Sequence, residues 1–298
     1  MRILLSALLI LLASMTTVSA EIYQQGIVYV IYSREGEAAV KATDIDQNGV
    51  PDVVEDIATQ INAVRAVFHD EFGFPDPLGS KRYKNVKTIE VNIKTRAAMN
   101  HNGLAYSGVR KKSEHNPNES ALHIDIASTA DPHKNSTPAH EYFHLIQYGA
   151  TYFRNGWYLE GMARWSQDSV DQIKKYPSDK NFSWTLKNKA SEAQIYGAKY
   201  KAANLLWYPM SVELKDKAKI PSEIMKGYKY VDGTPVFKDN VFYGPNVIKR
   251  VLMEMKTKED EAATAFGGRK QWIKDGVRDD QNNKYIMDCV RTVYDNQK

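Results

Sequence analysis

The segment that most constrains this 298-residue chain is the run HEYFH at positions 140–144, because its two histidines stand four residues apart. Residues i and i+4 of a helix project from the same face, so a helix here would bring two imidazoles together. Thr137 and Pro138 precede the run and are typical of a helix start, as the N-cap and the first helical residue. We therefore predict a helix over residues 138–148 that presents a pair of metal-binding histidines.

A catalytic zinc typically takes three protein ligands and leaves its fourth position to water. The longer pattern H-E-x-x-H-x-x-G-x-x-H is broken, because Gln147 and Ala150 replace its glycine and its third histidine. Fifteen residues separate His144 from Glu160, which lies in a predicted helix over 157–170 after an Asn-Gly turn. That helix could return the Glu160 carboxylate to the metal.

The predicted site therefore has three zinc ligands and one base. The ligands are His140, His144 and Glu160. Glu141, beside the first histidine, is the predicted general base that activates a water molecule. A buried helix with two hydrogen-bonded histidines and an ordinary surface glutamate is the structural alternative.

The run HEYFH followed by an E-G-x-A-x-W helix resembles the gluzincin peptidases. Three segments, TDIDQNGVPDVVE at 43–55, AHEYFHLIQYG and WYLEGMARW, are together similar to exported bacterial proteins assigned to the metallopeptidases by their zincin motifs. The resemblance covers about residues 26–214, and the chain after Leu214 carries no matching motif. It implies a zincin-like fold and hydrolysis of peptide or protein substrates, and it leaves the cleavage preference open.

The resemblance also implies a further hydrogen-bond donor for the developing oxyanion, since in gluzincins a tyrosine or histidine of the helical lobe often has this role. Tyr196 is the preferred candidate, because the adjacent Gly197 gives its backbone room, and Tyr200 is the alternative. With 18 tyrosines in the chain, ordinary packing also explains either one. Asp168 is a candidate for orienting a ligand imidazole, and a solvated acid at a helix end explains it equally well.

An acidic loop precedes the first predicted helix and matches D-x-D-x-N-G-x5-E, the twelve-residue calcium loop. The predicted calcium ligands are Asp44, Asp46, Asn48, the carbonyl of Val50, Asp52 and Glu55. No helix is predicted before the loop, so we expect an isolated structural calcium site and not a paired EF-hand sensor. An uncomplexed acidic turn that caps the helix starting near Val53 is the alternative.

Strand patterns dominate the first part of the chain and helical patterns the second. The predicted strands are 26–33, 88–93 and 121–126, and the predicted helices are 53–72, 138–148, 157–170, 200–214, 245–255 and 285–294. This order predicts an α+β fold with an N-terminal mixed strand and helix lobe over 21–150, which includes the calcium loop. A mainly helical lobe over 151–298 follows, with the active-site helix between the two lobes.

The first twenty residues have the pattern of a signal peptide cleaved near Ala20, with Arg2, an apolar run over 3–13 and small residues before the cleavage point. This predicts a secreted or periplasmic protein, and no later stretch is apolar enough to predict a membrane span.

The single cysteine, Cys289, excludes an intrachain disulfide. A formal charge of +4 without a basic stripe argues against a nucleic-acid partner, and the oligomeric state stays open.

Two classes of function fit these observations. The first is an exported zinc metallopeptidase, and the second is a non-catalytic, calcium-stabilised binding or surface module on a zincin scaffold. A glutamate beside two intact ligand histidines favours the enzyme.

Overall fold

A computed structural model of the chain describes residues 20–171 and 188–297, so the predicted signal peptide lies outside it except for Ala20. The architecture is mixed α+β, as the order of predicted elements indicates. The strands are β1 (Glu21–Gln25), β2 (Val28–Tyr32), β3 (Thr88–Lys94), β4 (Gly103–Ala105), β5 (Ala121–Ala127), β6 (Lys217–Lys219) and β7 (Val241–Tyr243).

Helices supply most of the remaining regular structure. The α-helices are α1 (Asp52–Arg65), α2 (Arg96–Met99), α3 (Thr137–Ala150), α4 (Gly156–Ser166), α5 (Asp168–Asp171), α6 (Lys189–Tyr196), α7 (Tyr208–Glu213), α8 (Ser222–Gly227), α9 (Pro245–Ala265), α10 (Arg269–Gln271) and α11 (Asn282–Asp295). Wider π-type turns form Ala66–Glu71, Ala203–Trp207 and Trp272–Gly276, and 3-10 turns form Pro77–Gly79, Lys81–Tyr83 and Lys199–Lys201.

Five strands form the main sheet in the order β1-β2-β3-β5-β4. β2, β3 and β5 run parallel, with Val30 opposite Val91 and Val91 opposite Ile124. Such central strands are rich in branched apolar residues because both of their faces are buried. β1 closes one edge as an antiparallel hairpin with β2, and the short β4 lies antiparallel to β5 at the other edge.

α3 joins the sheet to the helical part of the molecule, because it contacts β4 and β5 as well as α1, α4 and α9. The ring of Phe143 packs edge-on against Phe68, after α1, and Trp165, on α4, with ring centroids 5.2 and 5.6 Å apart. These aromatic contacts fix α4 against α3, with the HEYFH run between the sheet and the later helices.

The buried hydrophobic residues form one continuous cluster from Val28 to Tyr294. The assignment of residues 21–150 and 151–298 to two lobes therefore stays a prediction. No helix in the described ranges combines the length and hydropathy that would let it cross a membrane. Cys289 is a buried free thiol.

Candidate active site

Helices α3 and α4 bring the three predicted metal ligands together. The Oε2 atom of Glu160 lies 3.3 Å from His140 Nε2 and 3.8 Å from His144 Nε2. Two ligand atoms about 2.1 Å from a tetrahedral zinc stand roughly 3.4 Å apart. The ligand atoms of this triad all lie within 4.8 Å of one another, so the three residues could hold a single metal ion.

Both histidines direct Nε2 towards this common point because their Nδ1 atoms are engaged elsewhere. His144 Nδ1 lies 2.8 Å from the side-chain oxygen of Gln147, and His140 Nδ1 lies 3.3 Å from that of Gln167. An amide oxygen only accepts hydrogen bonds, so each Nδ1 carries a proton, and each Nε2 faces Glu160, to which it donates when protonated and beside which it can bind a metal when it is not. Gln147 also donates to the Leu159 carbonyl at 3.1 Å, which links the two helices.

The electrostatics of the triad also favour a cation. Burial alone would lower the pKa of His144, but its hydrogen bond with Glu160 and the charge of Glu141 outweigh burial and raise the pKa. Burial would raise the pKa of Glu160, but the two histidines hold it well below the usual range. Glu160 is therefore ionised at neutral pH, and the potential at the point where the three side chains meet is negative.

The predicted base, Glu141, lies between α3 and the edge strand β4. Its Oε2 atom accepts a 2.8 Å hydrogen bond from the backbone N–H of Ala105, and the residue is 6% exposed. A Cβ atom on Gly103 would stand only 2.6 Å from Cγ and Oε1 of Glu141. Only glycine lets β4 approach the carboxylate this closely.

β4 is an edge strand, and the side of it that faces away from β5, which we call its open side, has no partner strand in the described chain, although the Ala105 N–H on this side donates to Glu141. Asn102 accepts from the Ala127 N–H at 2.8 Å, and the Tyr106 N–H donates to His123 at 3.2 Å. In an antiparallel pair every second residue bonds to the partner strand, so the alternate residues Gly103 and Ala105 direct their backbone groups away from β5. Gly103 and Ala105 therefore face the Glu141 side of the strand.

The surroundings of the two candidate tyrosines favour Tyr200, the alternative, over Tyr196. Tyr196 donates to Glu192 at 3.1 Å and packs on Trp157, so its hydroxyl forms a hydrogen bond within α6 and not with the triad. Tyr200 has its ring 5.8 Å from that of His140 and hydrogen-bonds to Glu160. Burial and Glu160 raise the pKa of Tyr200 to about 12, so it is a neutral hydrogen-bond donor at physiological pH.

The acceptor beside His140 is Gln167 and not the predicted Asp168, its neighbour in sequence. Arg164 donates to the same Gln167 oxygen at 3.0 Å and to Asp171 at 3.0 Å. Asp168 is buried instead, and burial together with the charge of Asp239 raises the pKa of Asp168 to about 7.

A cavity of about 420 Å³ opens in front of the triad. Its lining includes His140, Glu141 and Tyr200, together with Arg96 and His101. A space of this size admits one or two residues of a peptide beside the predicted metal and base.

The acidic loop also folds around a common centre. Oxygen atoms of Asp44, Asp46 and Asp52 lie within 4.8 Å of one another. The Asn48 amide nitrogen donates to Asp46 at 3.0 Å and to Glu55 at 3.0 Å, so the Glu55 carboxylate faces the same centre. The loop could hold a calcium ion through its carboxylates, and Asn48 would supply an oxygen after rotation of its amide.

No protein-family model matches this chain, and comparisons with curated proteins and with solved structures found no match. The resemblance to gluzincin peptidases therefore stays a prediction that rests on the motifs.

Sequence reasoning missed three parts of this site: Gln147, Gln167 and strand β4. The two glutamines could have been found by helical spacing, since Gln147 lies one helical turn after His144 and Gln167 lies two turns after Glu160. β4 could not have been found in this way, because three residues are too few for a strand pattern.

Proposed function

We propose that this protein is a zinc-dependent peptidase with a zincin-like fold. The observation that carries the proposal is the convergence of His140, His144 and Glu160 on one point with zinc-like spacing, beside a glutamate held at the edge of a sheet. Zinc, when bound, lowers the pKa of a water molecule towards about 7 and polarises the scissile carbonyl. Export follows from the predicted signal peptide, as a secreted or periplasmic enzyme.

The chain's own residues move the protons. Glu141 accepts a proton from the attacking water through Oε1 while Oε2 stays fixed by the Ala105 N–H. It then returns the proton to the leaving amine. Because the carboxylate is fixed, it needs no rotation between the two proton transfers, so one residue can carry out both of them.

Tyr200 donates a hydrogen bond to the oxyanion that develops on the scissile carbonyl. Its neutral hydroxyl is already beside Glu160 and His140, so a small rotation redirects it towards the substrate. Such a donor acts mainly in the transition state, when the carbonyl oxygen becomes negative.

The open side of β4 is the place for the substrate backbone. An extended peptide that pairs with the backbone of Gly103 and with the carbonyl of Ala105 adds one strand to the sheet beside Glu141, while the Ala105 N–H continues to donate to Glu141. Peptides and unfolded segments can adopt this conformation, whereas folded domains rarely can. The substrate class is therefore extended polypeptide.

The acidic loop binds calcium as a structural ion in this proposal. The carboxylates of Asp44, Asp46 and Asp52 converge, and Glu55 shares the Asn48 amide group with Asp46. In the described chain, no lysine or arginine side chain is among the hydrogen-bond partners of these four carboxylates. Calcium would neutralise this repulsion and fix the loop before α1.

The test is hydrolysis of a fluorescently labelled unfolded casein by zinc-loaded protein and by its Glu141→Gln variant. The variant should keep its zinc and lose activity by about 100- to 10,000-fold, because only the proton transfers are removed. Glu37→Gln, at an exposed position, is the matched control and should retain wild-type turnover.

Two results would overturn the proposal. A Glu141→Gln protein that hydrolyses casein at the wild-type rate would remove the assigned base. A wild-type protein that binds zinc and cleaves no peptide would support the non-catalytic binding module.

A further inference from the structure

A second cavity, of about 400 Å³, opens at the C-terminal end of α3. Its charged lining residues are Lys81, Arg82, Lys256 and Arg269, and we call it the basic pocket. Three of these cations surround the ring of Tyr152, with the Arg82 guanidinium 4.3 Å, that of Arg269 5.5 Å and the Lys256 ammonium 5.9 Å from its centroid. No acidic residue of the described chain lines the cavity.

The carboxylates next to the basic pocket do not balance its charge. Glu259, which is 1% exposed, lies 2.8 Å from Arg269 and 3.2 Å from Lys256, and the exposed Asp260 lies 2.6 Å from Arg269, so two carboxylates stand against the four cations. Arg82 donates instead to two neutral carbonyl oxygens, those of Tyr148 at 2.9 Å and Ser107 at 3.1 Å. An excess of positive charge remains on the pocket wall.

A buried arginine behind this wall adds to the excess. Arg154 is 4% exposed and stacks on the ring of Tyr148 at 4.4 Å. Its Nη1 atom donates to backbone carbonyls, while its Nη2 atom has no hydrogen-bond partner in the described chain. Burial and the charge of Arg82 lower the pKa of Arg154 to about 10. The region repels additional cations and favours an anion.

The basic pocket shares a wall with the metal site. The ring of Tyr148 lines the pocket and stacks on that of His144 with centroids 5.8 Å apart. Ala150, at the pocket, lies six helical residues beyond His144, about 9 Å along the axis. Ser107, held by Arg82, lies two residues beyond Ala105, about 7 Å along an extended chain.

From these contacts we infer that the basic pocket binds an acidic side chain of the substrate, two or three residues from the scissile bond. This inference rests on the proposed peptidase function. A carboxylate fits a set of guanidinium and ammonium groups, because it can accept several charge-assisted hydrogen bonds at once. If the substrate runs antiparallel to β4, the acidic residue lies on the N-terminal side of the bond.

The test uses quenched fluorescent peptides that differ only by glutamate or glutamine at the second and third positions on each side of the cleaved bond. Wild-type protein should show kcat/KM about tenfold higher for the best glutamate peptide. The double variant Lys81→Gln/Lys256→Gln should lose this preference and keep its rate on the glutamine peptide. Both lysines are exposed, whereas Arg82 is partly buried, so the double variant should still fold. Lys226→Gln, on the exposed surface of α8, is the control and should keep the preference.

A ratio of kcat/KM for the glutamate and glutamine peptides near 1 in the wild type would overturn the inference. A glutamate preference that survives in the double variant would also overturn it. If no peptide is cleaved at all, the peptidase proposal fails and the pocket is tested separately by fluorescence anisotropy of the same labelled peptides. Selective binding of the glutamate peptide that the double variant loses would then support an acidic-peptide pocket. Equal binding of the two peptides would contradict it.

Discussion

The acceptors that orient the two ligand histidines are neutral amides, Gln147 and Gln167, and not carboxylates. A neutral acceptor fixes the tautomer without adding negative charge to the metal site. Arg164 also donates to the Gln167 oxygen and draws electron density away from it. Glu160 is therefore the only charged side chain among the three proposed ligands, and the orientation of each imidazole depends on one amide.

Replacing Gln167 tests this arrangement directly. Gln167→Ala should weaken zinc binding by about 10- to 100-fold, because His140 loses the partner that holds its tautomer and ring plane. Competition with a chromogenic zinc chelator measures the affinity. Asp168→Asn, at the neighbouring position, is the control and should bind zinc as tightly as wild type. Equal affinities in Gln167→Ala and wild type would remove Gln167 from the site.

The two candidate tyrosines differ in their surroundings and so in their expected effect on turnover. Tyr200→Phe should lower kcat and kcat/KM together by about 100- to 1,000-fold, because it deletes a hydrogen bond made to the oxyanion. Tyr196→Phe removes only the contact with Glu192 and should retain near-normal kinetics. Zinc content should be unchanged in both. The reverse pattern of kinetics would restore Tyr196 as the donor.

Strand β4 holds the proposed base, Glu141, and is also the proposed surface for the substrate. Gly103→Ala would place a methyl group 2.6 Å from Glu141 and from Thr137, so either the strand or the carboxylate must move. We expect turnover to fall by about 100-fold, because even a small displacement of a catalytic group slows the reaction strongly. Zinc content should be unchanged. Gly108→Ala meets nothing within 4 Å and is the matched control. Normal turnover in Gly103→Ala would show that β4 does not constrain Glu141.

The helices that carry the ligands could be predicted from the sequence because their periodicity is strong. The segments predicted over 138–148 and 157–170 correspond to α3, and to α4 with α5. The contact between β4 and α3 could not be predicted, since it joins residues 36 positions apart, with the Ala105 N–H donating to the side chain of Glu141. The region 200–214 is helical as predicted but changes from 3-10 to π and then α geometry, which local patterns do not resolve.

The acidic loop connects the first hairpin to α1 and so bears on the stability of the whole protein. Arg34, just after β2, donates to the Gly49 carbonyl within the loop. The Tyr23 hydroxyl, on β1, hydrogen-bonds to Glu55, and burial with this carboxylate raises the pKa of Tyr23 to about 12. An ion that fixes the loop would also fix these contacts with the sheet.

Calcium at ten- to hundredfold above its dissociation constant should stabilise the folded protein by about 1.4 to 2.7 kcal/mol, because it binds only the folded loop. A rise in Tm at constant zinc concentration measures this. Asp46→Asn should abolish the rise, while Asp295→Asn, on the exposed end of α11, should retain it. A Tm that is indifferent to calcium in wild-type protein would leave the loop as an acidic turn.

The most direct test of the account is the zinc content of the purified protein and of its Glu160→Gln variant, measured by mass spectrometry of the metals after dialysis. Glu160 is the one ligand outside the HEYFH run, so it distinguishes a three-ligand centre from a chance pair of histidines. We expect about one zinc per chain in the wild type and a large loss in the variant. Wild-type protein without zinc, or a variant with equal zinc, would contradict the assignment of this site.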